Sequence, residues 1–71
     1  MAITDHSKSL SASRAGLRFV IECDPSVGWY LYVYQGDRCT HDFLQDTLDH
    51  ALSQAESEFG VAKSAWKPKE A

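Results

Sequence analysis

Seventy-one residues are enough for one small domain and exclude more than one. The formal charge of -3 and a pI near 5.4 remove any general attraction to nucleic acid or anionic lipid. Two cysteines are too few for a disulfide scaffold, no apolar run has membrane-spanning length, and the N-terminus lacks the apolar stretch of a secretory signal. A reducing cytoplasm with free thiols at Cys23 and Cys39 is therefore expected. A domain this small buries a low fraction of its surface, so self-association is the expected source of extra stability.

Residues 1–15 are serine-rich and hold only Ile3 and Leu10 as sizeable apolar residues after the initiator. They read as a flexible arm preceding a single α+β domain over 16–66, with 67–71 as a tail. From Leu17 the pattern changes. Leu17, Phe19, Ile21 and Cys23 alternate with Arg18, Val20 and Glu22, as a strand requires. Asp24-Pro25-Ser26-Val27 has Asp and Pro where a type I turn prefers them, and Gly28 supplies the backbone freedom such hairpin loops need.

The next strand, Trp29 to Gln35, is the most telling stretch. Alternation sends Trp29, Leu31 and Val33 to one face and Tyr30, Tyr32 and Tyr34 to the other. Pairing Cys23 with Trp29 keeps all apolar partners together, setting Ile21 opposite Leu31 and Phe19 opposite Val33. The other face then pairs Glu22 with Tyr30, Val20 with Tyr32 and Arg18 with Tyr34. A slip of one residue would mix polar and apolar side chains on both faces.

After Gly36-Asp37-Arg38 a helix is expected to begin near Thr40 or Asp42. Thr40 would cap it with Cys39 and Leu44 as a hydrophobic staple, or Asp42 would cap it with Gln45. Leu44, Leu48, Ala51, Leu52, Ala55 and Phe59 form one apolar stripe at helical spacing. Gly60 stands where a left-handed C-cap belongs, with Val61 placed for a Schellman contact. Val61 to Trp66 reads as a short third strand. The expected fold is thus a two-stranded antiparallel hairpin plus one helix, extended to ββαβ by that strand.

Charge is unevenly spread. Lys8, Arg14 and Arg18 lie early and Lys63, Lys67 and Lys69 late, whereas 42–58 carries Asp42, Asp46, Asp49, Glu56 and Glu58 without Lys or Arg. On the expected helix, Asp42, Asp46 and Asp49 share an acidic face, which is either simply solvated or a docking surface in the manner of small inhibitor or immunity proteins.

Cys39-x-His41, with His50, is the only grouping that hints at metal or nucleophilic chemistry. The hairpin geometry holds Cys23 and Cys39 roughly 20 Å apart at the usual rise per residue, too far to bridge or share a metal. Residues two apart at a helix entrance point in different directions, and no third group orients the pair. One core cysteine and one loop cysteine is the preferred reading, with no metal and no catalytic residue. Nucleotide loops, HExxH and paired CxxC motifs are absent.

The tyrosine stripe is the candidate that remains. Cross-strand packing on Arg18 and Val20 accounts for part of it, at about 0.2–1 kcal/mol per pair, and still leaves an aromatic patch of the kind that marks interfaces. Single-stranded nucleic acid is the alternative occupant, stacked on the tyrosines with Arg14, Arg18, Lys63 and Lys67 alongside. The run Gly28–Tyr34, together with 42–48, Phe59-Gly60-Val61 and Trp66, resembles small bacterial proteins of unknown function, a resemblance that transfers no functional residue. The expectation is a non-catalytic module that needs no cofactor. It binds itself or another protein through Tyr30, Tyr32, Tyr34, Arg18 and Val20, with no membrane or small-molecule ligand.

Overall fold

The computed structural model describes residues 9–68. Its chain order is β1 (Ser9–Arg14), β2 (Leu17–Asp24), β3 (Gly28–Gln35), β4 (Arg38–Gln45), α1 (Leu48–Phe59), a 3-10 turn (Lys63–Ala65) and β5 (Lys67–Pro68). The strands form a five-stranded antiparallel sheet in the order β4-β3-β2-β1-β5, with one helix on one face. The hairpin-plus-helix fold expected from the sequence, ββα or ββαβ, is therefore corrected to a larger sheet.

Three elements account for the difference. From Ser9 the expected arm is strand β1, with Leu10 opposite Ile21 and Ala12 opposite Phe19. A two-residue loop, Ala15-Gly16, joins it to β2, and both residues have positive φ (55° and 81°), as the tightest hairpin turns demand. The expected start of the helix is β4, reached through the equally short loop Gly36-Asp37. Val61–Trp66 is not a strand; pairing resumes only at Lys67 and Pro68, against Ser11 and Leu10. Residues 1–8 and 69–71 of the expected arm and tail lie outside the described residues.

The central hairpin is as the pattern predicts. Cys23 pairs with Trp29, Ile21 with Leu31, Phe19 with Val33, Val20 with Tyr32 and Arg18 with Tyr34. Val27 N–H donates to the Asp24 carbonyl at 3.0 Å, and the Asp24 carboxylate accepts from Ser26 N–H at 2.9 Å, which closes the turn around Pro25. Gly28 follows with φ 135°, and a β-carbon there would strike the Gln45 carbonyl oxygen on β4. Only glycine fits this crossing of loop and neighbouring strand.

Helix α1 begins later than its apolar stripe suggests. Thr47, extended at φ -133°, is the N-cap, and its hydroxyl accepts from His50 N–H at 3.1 Å. Gly60 ends the helix in the left-handed conformation, φ 74°. Its N–H reaches the Glu56 carbonyl at 3.0 Å and Val61 N–H reaches the Ala55 carbonyl at 3.2 Å. Ala51 and Ala55 are fully buried, so the helix lies close on β3 and β4. The core between helix and sheet is Ala12, Phe19, Ile21, Leu31, Val33, Ala51, Ala55 and Val61, with Trp29, Phe43, Phe59 and Trp66 packed at its margins. Phe59 from the helix meets Phe19 at 5.4 Å between ring centroids. The single helix covers one face; among the described residues no other element lies on the opposite face of the sheet.

Candidate interaction face

The register of the strands builds the open face row by row. Leu44, Tyr30, Glu22 and Ser9 form one row across β4, β3, β2 and β1. Asp42, Tyr32, Val20 and Ser11 form the next, extended by Lys67 on β5. Cys39, Tyr34, Arg18 and Ser13 form the third. The structure thus brings together Tyr30, Tyr32, Tyr34, Arg18 and Val20, the residues expected to share a face.

The tyrosines support one another. Tyr30 stacks on Tyr32 at 5.6 Å, with an interplanar angle of 16°, and Tyr32 meets Tyr34 at 6.4 Å in a tilted arrangement. The Arg18 guanidinium lies 4.6 Å from the centroid of the Tyr34 ring, within cation–π range. All three rings are half-buried. Val20, opposite Tyr32 on β2, is 1% exposed although it faces away from the helix. Burial raises the Tyr32 pKa above its ordinary 10.0, and the charges of Glu22 and then Asp42 act in the same direction, as do the two neighbouring tyrosines. Tyr32 is therefore held as a neutral phenol.

Several residues of this face escape the sequence reading because their strands do. Asp42, Leu44 and Cys39 come from β4 and the three serines from β1. Leu44 was expected on the apolar helix stripe; it stands beside Tyr30, 49% exposed. The available signal was the Gly36-Asp37 dipeptide between two runs with strand alternation.

The acidic helix face does not exist as expected. Asp42 lies on β4 opposite Tyr32, Asp46 in the bend before the helix, and only Asp49 on α1. Asp49 is 3.6 Å from Lys63 in an exposed ion pair, a contact worth little in water. Their separation follows from the late start of the helix at Thr47.

The side chains of Cys39 and His41 are not brought together. The extra residue Thr40, at the register shift between Val33 and Tyr34, leaves Cys39 opposite Tyr34 and His41 opposite Val33, on different faces. The Cys39 thiol is 3.4 Å from the His41 carbonyl oxygen, not from its ring. The imidazole packs on Phe43 at 5.9 Å and against Phe59 at 5.7 Å, and its Nδ1 is 3.0 Å from the Thr40 hydroxyl. Cys23 and Cys39 are both free thiols. Among the described residues no three His, Cys, Asp or Glu side chains are grouped to hold a metal ion, and no helix is long and apolar enough to cross a membrane.

Comparison with known proteins returned no matching family model, curated protein or solved structure.

Proposed function

We propose that this protein is a non-catalytic interaction module whose open sheet face binds a second copy of the chain. The observation that carries the reading is the line of contacting rings Tyr30-Tyr32-Tyr34 along β3, on the sheet face that no other described element covers. Rigid, amphipathic aromatic side chains offer large contact area at a low entropic cost, which is why interfaces favour them. Leu44 beside Tyr30 adds apolar area.

Charge supports a second copy over nucleic acid. The face carries Arg18 and Lys67 against Glu22 and Asp42, with Asp24 bound into the turn at its rim. Its charges sum to only -1, whereas the whole chain carries -3. Two acidic molecules approach each other best through such a near-neutral patch. Glu22 and Asp42, on either side of the tyrosine row, would repel a phosphate backbone. The cytoplasm is the compartment we assign to it, on the support of its two free thiols.

Tyr32→Ala tests the reading. Removing the central ring should weaken self-association by about tenfold or more, as expected for an aromatic anchor, in a variant that still unfolds cooperatively. Unchanged association in such a variant would refute it.

A further inference from the structure

The open face has a symmetry that its strand register makes visible. Draw a line across the strands through Tyr32 and Val20, which are directly opposed. On β3, Tyr30 and Tyr34 lie two residues to either side of that line; on β2, Glu22 and Arg18 do the same. About the line, β3 is therefore matched ring for ring, and the Arg18–Glu22 pair of β2 is antisymmetric in charge.

Resting on the reading of this face as a homodimer surface, we propose that two copies pack face to face about a two-fold axis along that line. Each Arg18 then meets Glu22 of the partner subunit, and Tyr30 lies over Tyr34 of the partner subunit. Val20 and Tyr32 meet their own counterparts at the centre. An isologous contact requires a patch complementary to itself, and this arrangement sets the opposite charges of Arg18 and Glu22 against each other.

Two-fold axes along either central strand are poorer. A two-fold axis along β2 sets Arg18 on Arg18 of the partner subunit and Glu22 on Glu22 of the partner subunit. An axis along β3 sets Glu22 over Leu44 of the partner subunit and Arg18 over Cys39 of the partner subunit, so neither charge faces one of opposite sign across the contact. In the proposed arrangement the like-charge encounters involve only Asp42 and Lys67, on the two outermost strands, where solvent screens them.

Charge reversal tests the arrangement directly, with association measured by sedimentation over a concentration series and folding checked by circular dichroism. Arg18→Glu and Glu22→Arg, each alone, should weaken dimerisation by about tenfold or more, because each sets like charges opposite one another. The double variant Arg18→Glu/Glu22→Arg should return to within a few-fold of wild type. Arg18→Gln and Glu22→Gln should fall between, which keeps the test decisive where a reversal impairs folding. A dimer indifferent to both single reversals, or one that the double variant fails to restore, overturns this arrangement while leaving the homodimer reading standing. A wild-type chain that stays monomeric throughout overturns both.

Discussion

Val20 stands directly opposite Tyr32 on the neighbouring strand and is 1% exposed, on the sheet face that the helix does not cover. A valine on an uncovered sheet face is ordinarily half wet. Here Val20 is sealed, with Tyr32 as its cross-strand neighbour, so this face has a buried apolar position of its own before any partner arrives. Val20→Ala removes two buried methyl-sized groups and should lower stability by about 1.5 kcal/mol at roughly 0.8 kcal/mol each. A chemical denaturation midpoint, with the slope unchanged, is the measurement. A cost near zero would mean that the rings do not shield the position in solution.

Tyr32 is the residue whose ionisation should report on the packing of the row. Its pKa is raised in the folded state, first by burial and then by the negative charges around it. The neutral phenol is the form that the fold favours. Its contribution is fully present below the unfolded tyrosine value near 10 and is lost as pH rises through the higher folded value. Ultraviolet titration should show a tyrosine step above pH 10 that disappears in Tyr32→Phe, and stability should fall over the same alkaline window. Loss of that step in Tyr34→Phe but not in Tyr32→Phe would place the shielding elsewhere.

The β1–β2 turn carries a residue poorly suited to its conformation. Ala15 has φ 55°, a region where a β-carbon costs roughly 1–2 kcal/mol. Ala15→Asn, giving the Asn-Gly pair that such turns prefer, should stabilise the fold by about 0.5–1 kcal/mol. A rise in melting temperature checks this, and a fall would show that the turn takes another form.

Gly28 is the opposite case. Its positive φ and the Gln45 carbonyl oxygen behind it leave no room for a side chain. Gly28→Ala should cost about 1–3 kcal/mol and loosen β3 from β4 where they first meet. Faster amide exchange at Trp29 and Gln45, with the centre of β2 unaffected, is the expected signature.

The legible and illegible parts of this chain differ for physical reasons. Leu17–Gln35 was readable because its alternation is strict and its turn uses Asp and Pro in their preferred places, so only one register keeps apolar residues together. The end of the helix was equally plain at Gly60. Its beginning was not, because Asp42 with Gln45 mimics a capping box and Leu44 falls four residues before Leu48. In the fold Leu44 points to the tyrosine face and the helix starts one turn later, at a threonine whose hydroxyl reaches His50. Alternation of His41, Phe43 and Gln45 was present but carried only one strongly apolar residue. Strand β1 was hidden in the same way. Ser9, Ser11 and Ser13 are weak strand formers facing the open side, and only Leu10 and Ala12 face the core. Both missed strands are held by pairing with β2 and β3 more than by their own propensity. Their loss from the sequence reading removed half of the candidate face, including the acidic Asp42 that had been assigned to the helix.

The most direct test of the central claim is molecular mass in solution over a concentration series, for the wild type and for Tyr32→Arg. Arginine at the centre of the row removes the anchoring ring and, in a two-fold contact centred there, sets a charge against its own like-charged counterpart. The wild type should form a dimer and Tyr32→Arg a folded monomer across the same range. A wild type that remains monomeric at the highest concentration, or a dimer that Tyr32→Arg leaves intact, would contradict the claim that this face joins two copies of the chain.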